Sequence, residues 1–437
     1  MPSSRDRLDT ILSRLSARAG EERVFTKLYP EAACAAADAS DARDKAGVSL
    51  GPLDGKIVSI KDLFDVAGEP TLAGSAIRRD VPAAERDALI VRRLRQAGAV
   101  IIGKTAMTEF AFTAVGINPH FGTPGNAADP TRIPGGSSSG AGVSAAEGTS
   151  EIAIGSDTGG SVRIPAALNG VVGFKPTASR IPFDGVFPLS FTLDSVGPLA
   201  STVADCALAD SIMAGGEPAT LTPLPLAGLR IGVPKGSLLE GLEPAVASGF
   251  QRSLNLLEKA GARLIDHAID DLVSAMIDAT KDGTIAGIEA ASVHADWLAD
   301  PELAARVDPR VAGPLARRLS VSAAAYIKLI KRRNELARAM DARLAPLDVL
   351  ALPTVPITAP EIAPLENDRA LQDRADGLLL RNPQLANQFD LTSISLPMPG
   401  MSLPAGLMLF ARHGEDNRLL AIAAVVEAAL GESSSAR

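Results

Sequence analysis

The chain has 437 residues, 46% hydrophobic and 22% charged, with a net charge of −8, a globular composition with enough length for a large core. The acidic balance, with no long basic run, argues against a nucleic acid or an anionic membrane as main partner. Aromatic residues are only 3% and Trp297 is the sole tryptophan, so an aliphatic core is expected and base-stacking platforms are not.

Cys34 and Cys206 are too few for a disulfide framework and read as small buried hydrophobes. His120, His267, His294 and His413 are dispersed and show no metal-ligand spacing. The opening MPSSRDRLDTILSRLSARAG reads as a charged amphipathic helix without the apolar stretch of a signal peptide. No run of about 18 apolar residues is present to span a bilayer, and a cytoplasmic protein is expected.

In chain order, residues 1–50 read as helical and alanine-rich, stopping at Gly47. Residues 51–216 are rich in glycine and short apolar runs, and begin with a buried strand, Ile57-Val58-Ser59-Ile60. Lys61 closes that strand at its C-terminal end, where ligands bind in open α/β sheets. From Asp87 to Ala97 the apolar positions Leu89, Ile90 and Leu94 predict a helix, ended by Gly98 and followed by a strand over Ala99–Ile102. A proline-rich connection (Pro218, Pro223, Pro225) leads into residues 217–437, where helices and strands alternate. There Val246, Phe250, Leu254 and Leu257 line one helix face, Gly261 stops it, and a strand resumes near Leu264. This grammar predicts an α/β protein.

Three segments carry candidate chemistry: Ser59-Ile60-Lys61-Asp62, Pro134-Gly135-Gly136-Ser137-Ser138-Ser139-Gly140, and Gly155-Ser156-Asp157-Thr158-Gly159-Gly160-Ser161-Val162-Arg163. Amide hydrolysis needs an activated hydroxyl, a proton carrier and donors for an oxyanion. All four histidines lie outside these segments, but a lysine can carry the proton if desolvation leaves it partly neutral. Glycines around Ser161 let backbone N–H groups converge on one spot. Each segment alone has a plainer reading. A strand-end lysine is more often solvated, and GGSSSG resembles a flexible loop and lacks the Gly-Lys-Ser/Thr of a P-loop. Asp157-Thr158-Gly159 imitates half of an aspartic protease dyad, but no second such triplet occurs, since Val196 follows Asp194-Ser195.

Together the segments resemble the amidase signature family. GGSSSG (135–140), GSDTGGSVRIPAALNGVVGFKPT (155–177), the strand-end lysine and the spacing between them all match. The similarity continues through FPLSFTLDSVGPLASTVADCA (187–207), DVLALPTVPITAP (348–360) and LPAGLMLFARHGEDNRLLAIA (403–423). The resemblance implies an α/β amidase signature fold, one domain over 1–437 with a large mixed β-sheet flanked by helices on both faces. Residues 51–216 would be its core, and 217–437 would complete the sheet and the substrate pocket. It implies Ser161 as nucleophile, Ser137 as bridging serine after a cis peptide, and Lys61 as base. Backbone N–H groups of Thr158, Gly159, Gly160 and Ser161 would form the oxyanion hole. Ser139, Ser156 and Asp157 would orient the lysine and the loop.

The implied function is hydrolysis of a linear amide of a small molecule to a carboxylate and ammonia or an amine, without metal or cofactor. A carboxybiuret- or allophanate-type hydrolase is the alternative, the former with a small accessory subunit. The glutaminase subunit of a tRNA-dependent amidotransferase fits less well, because Ile164 stands where such subunits carry glutamine. A homodimer is left open. Met107 and Phe110 align with a segment that lines the acyl pocket in relatives, or else pack in the core. Arg163 is set either to receive a substrate carboxylate or, the favoured reading, to brace the loop. Asp62 and Glu109 read as solvated or structural charges. Burial of Lys61 without a compensating charge predicts an alkaline optimum, roughly pH 8–9.

Overall fold

The computed structural model describes residues 2–431 apart from 219 and 223, so Pro223 of the proline-rich connection lies outside the described residues. The strands are β1 (Phe25–Leu28), β2 (Ile57–Lys61), β3 (Val100–Thr105), β4 (Ile152–Asp157), β5 (Val172–Lys175), β6 (Ser195–Ala200), β7 (Arg230–Val233), β8 (Arg263–Asp266), β9 (Val349–Pro353), β10 (Thr392–Pro397) and β11 (Gly406–Ala411). They form one 11-stranded sheet in the order β1-β3-β2-β4-β6-β5-β10-β11-β9-β7-β8. Two parallel wings, β3-β2-β4 and β9-β7-β8, flank an antiparallel centre.

Side-chain alternation assigns each strand to two cores. In β11, Leu407, Leu409 and Ala411 enter one hydrophobic cluster, while Met408 and Phe410 enter another. In β9, Val349 and Ala351 join the first cluster, and Leu350 and Leu352 the second. Both faces are therefore covered, which explains why the strands read as unbroken apolar runs rather than alternating ones.

The segment read as wholly helical contains two helices, α1 (Ser4–Ala17) and α2 (Pro30–Ala46), separated by β1. This edge strand was not expected. It spans four residues with a single fully buried one, Phe25, and pairs antiparallel with β3. The stop at Gly47 is there: its φ of 69° forms the left-handed end of α2. The helix expected over 87–97 is α3 (Leu89–Gln96), with Ile90, Val91 and Leu94 buried and Gly98 at φ 86°.

Two short helices lie close to the sheet on one face. They are α4 (Ser139–Glu147) and α5 (Arg163–Asn169), which pack on each other. Alternation along β2 turns Val58 and Ile60 to the opposite core and Ser59 toward α4, where its hydroxyl meets Ser144 at 3.3 Å. Lys61, two residues on, points the same way. Pairing β2 parallel to β4 aligns Ile60 with Ile154 and brings the C-terminal ends of both strands together. Among the described residues, no helix is long and apolar enough to cross a membrane.

Candidate active site

Lys61 is completely buried at the end of β2. Its Nζ donates to Ser137 Oγ at 2.7 Å and to Ser156 Oγ at 2.9 Å. Ser156 belongs to β4, the parallel neighbour, so the sheet itself sets the second contact. Ser137 arrives from the loop before α4. The peptide bond Gly136–Ser137 is cis, and Ser137 O accepts the Thr108 N–H at 3.1 Å. Removing an ammonium from water disfavours its charged form, and burial lowers the Lys61 pKa to about 7 against the pull of Asp194 and Asp157.

Ser161 lies between β4 and α5. Among the described residues its hydroxyl has no hydrogen-bond partner, and it faces a cavity of about 180 Å³. The loop that carries it is shaped by Asp157. The Asp157 carboxylate accepts the N–H groups of Gly160 (2.9 Å) and Val162 (3.1 Å) and the side chains of Arg163 and Asn387. Burial alone would raise this carboxyl's pKa, but the Arg163 charge and these donors hold it well below the usual range. Gly160 has φ 132°, and a Cβ there would stand 2.6 Å from Pro383 Cβ and 2.8 Å from Ile164 Cδ1, so the turn requires glycine.

These contacts correct one expectation. The Gly160 N–H is committed to Asp157 and does not point at the cavity, so Gly160 contributes its conformation instead of a donor. Among the described residues the N–H groups of Thr158, Gly159 and Ser161 have no protein acceptor, and all three residues line the cavity.

Arg163 is fully buried and its donors are spent on Asp157, Pro383 O and Asn387 Oδ1 at 2.7–3.0 Å. No group remains for a substrate carboxylate, so the bracing reading is the one its position supports. Breaking such a pair strands a charge: Arg163→Met should cost about 3–5 kcal/mol of unfolding free energy. Adding Asp157→Ala to that variant should recover part of the loss, as measured by chemical denaturation. Additive losses would mean that the two side chains do not act as a pair.

Met107 and Phe110 do not line the cavity. Met107 is core. The Phe110 ring turns into a cluster with His294, Trp297 and Phe187, at centroid distances of 4.2, 5.7 and 5.8 Å. It thereby anchors the next residues, Ala111 to Ala114, which do form the cavity wall. Ser139 stands apart from the lysine and donates to Ala106 O at 3.2 Å. Asp62 and Glu109 are buried, not solvated. Asp62 faces Lys104, and burial raises its pKa to about 6; Glu109 accepts from Ser75 and from the Asp308 N–H and pairs with His120.

Reading the sequence missed several residues. Asp194 accepts the Thr158 hydroxyl and the N–H groups of Leu189 (2.9 Å) and Ser190 (3.0 Å), tying the Ser161 loop to the cavity wall. Burial raises its pKa to about 6, opposed by these donors and by Lys61. Its place just before β6, inside a segment already singled out, was the available signal. The far wall comes from distant chain: Thr280, Thr284 to Gly287, and Asp376, Leu380, Gln384 and Gln388. No motif marks them.

Comparison of the whole chain with known proteins gives the family. The Amidase family profile covers residues 7–420. The chain belongs to the amidase family. It is 36% identical over 410 residues to a 2-amino-5-chloromuconic acid deaminase of Comamonas testosteroni, covering 91% of this chain and 86% of that protein. It is 34% identical over 447 residues to one of the subunits of the glutamyl-tRNA(Gln) amidotransferase of Chloroflexus aurantiacus, covering 95% of this chain and 91% of that protein. A crystal structure of an amidase superimposes with a TM-score of 0.87 at 30% identity over 98% of this chain and 97% of that one. This amidase is a hydrolase of carbon–nitrogen bonds other than peptide bonds, and its fold is that of the family.

Proposed function

We propose that the chain hydrolyses a linear amide of a small molecule through an acyl-enzyme on Ser161, with Lys61 as base and Ser137 as proton relay. The contact that carries this reading is Lys61 Nζ to Ser137 Oγ, 2.7 Å, with the lysine shut away from water. Neutral Lys61 takes the Ser137 proton as Ser137 takes that of Ser161, and Ser161 Oγ attacks the carbonyl carbon. Negative charge then develops on the carbonyl oxygen beside the N–H groups of Thr158, Gly159 and Ser161. Collapse breaks the C–N bond, and the proton returns from Lys61 through Ser137 to the leaving nitrogen. Water next attacks the acyl-Ser161 ester by the reverse relay and releases the carboxylate. No hydrogen bond joins Ser137 Oγ to Ser161 Oγ among the described residues, and such contacts tighten when substrate fills a site.

The test is ammonia release across a series of small linear amides, with hydroxylamine added as a competing acceptor. An acyl-enzyme predicts acyl hydroxamate forming at the expense of the acid. Amide turnover with no hydroxamate at any hydroxylamine concentration would count against the covalent route.

A further inference from the structure

The cavity that holds Ser161 has a lopsided charge. Among the described residues lining it there is no lysine, arginine or histidine, and one ionisable side chain, Asp376. Arg163, the nearest cation along the sequence, is turned away and fully paired. Asp376 sits on the helix Arg369–Arg381 and is half-buried. Its Oδ1 accepts the Ala114 N–H at 2.6 Å, and the Val115 N–H bears on the same carboxylate. Burial raises its pKa to about 6, against the two N–H groups, which leaves it mostly ionised at neutral pH. A carboxylate offers about four acceptor positions, so capacity remains for a ligand. Asp373, one turn earlier, adds negative potential; Arg310 opposes it but is tied to Asp308 and Gln372. The rest of the far wall is uncharged: Thr280, Thr284, Gln384 and Gln388 alternate with the apolar Ile285, Ala286 and Leu380, and Gln388 donates to Gln384 at 3.2 Å.

Resting on the amide-hydrolysis reading above, we infer that the natural substrate carries an ammonium group at its non-reacting end, held by Asp376: an amino-acid amide or an ω-amino amide. A substrate carboxylate in the same place would face Asp376 with no cation to receive it. A charge-assisted hydrogen bond to a partly desolvated carboxylate is worth roughly a tenfold to hundredfold preference over a methyl group.

The experiment compares straight-chain primary amides with spacers of one to four methylenes, ending in ammonium, methyl or carboxylate. At the best spacer, kcat/KM should rank ammonium over methyl by at least about tenfold, with carboxylate last. Asp376→Asn keeps an acceptor for the Ala114 N–H and removes the charge. It should bring the ammonium-to-methyl ratio to near one, mainly through KM, while thermal melting reports that the fold is kept. A carboxylate-ended amide as the best substrate, or an ammonium preference that survives Asp376→Asn, overturns the inference. Methyl-ended amides hydrolysed by wild type but not by Ser161→Ala, with no ammonium preference, overturn this inference alone. No turnover of any member overturns it together with the amide-hydrolysis reading.

Discussion

Ser161→Ala should lower kcat by about 10⁴–10⁶-fold, because it removes the hydroxyl proposed to form the acyl-enzyme, while residual binding and the proposed oxyanion donors would give only a small rate over water. Its effect on stability should be slight, within about 0.5 kcal/mol. The Ser161 hydroxyl has no hydrogen-bond partner among the described residues, so its loss strands no buried group. The two readouts together separate chemistry from folding. Fluorophosphonate labelling should vanish with the hydroxyl, and denaturation midpoints should match wild type. Labelling that persists on Ser137 would exchange the roles of the two serines. Ser137→Ala is a different case: it takes away one of the two acceptors of Lys61 Nζ and should cost both activity and order at the lysine.

Much of the catalytic wing was readable because its elements are local. Ile57 to Ile60 form an apolar run with a polar end, and both of its faces are buried, so the strand and the position of Lys61 followed from pattern alone. The proposed roles of Ser137 and Ser161 came from the family resemblance, since GGSSSG alone reads as a loop. What escaped reading was set by packing. Phe25–Leu28 is an edge strand of four residues, too short to show a period. Phe110 lay in the right segment, but packing against His294 and stacking on Trp297 turn its ring away from the cavity. Gly160 looked like a donor because glycines cluster in oxyanion loops, yet its φ and the clash that a Cβ there would make with Pro383 account for the residue. The wall with Thr280 and Asp376 comes from helices far along the chain, and nothing in their sequence announces a site. Asp194 and Asp157 were visible as residues but not as neighbours of Lys61, and so the lysine was expected to lack a compensating charge.

The balance between burial and these two carboxylates decides where activity should switch on. Only neutral Lys61 can accept a proton, so kcat/KM should rise with pH through the free-enzyme pKa, about 7, and level off above roughly pH 8. One titrating group gives about a tenfold fall per pH unit below that point, leaving about 1% of the plateau at pH 5. Burial lowers the lysine pKa, while the negative charges of Asp194 and Asp157 raise it part of the way back. Asp194→Asn should therefore move the limb to lower pH, and Lys61→Met should abolish the limb along with most of the rate. Stability gives an independent check on the sign. An unfolded lysine holds its proton up to about pH 10.4, whereas the folded one releases it near 7, so the unfolded state binds more protons between these values. The destabilisation from burying Lys61 is then complete below pH 7 and fades as pH rises toward 10. Lys61→Met should gain most in melting temperature over wild type at pH 6 and progressively less at pH 8 and 9. A gain that is flat with pH, together with a wild-type kcat/KM that is level from pH 5 to 9 when chemistry is rate-limiting, would show that Lys61 keeps its proton and that another group is the base.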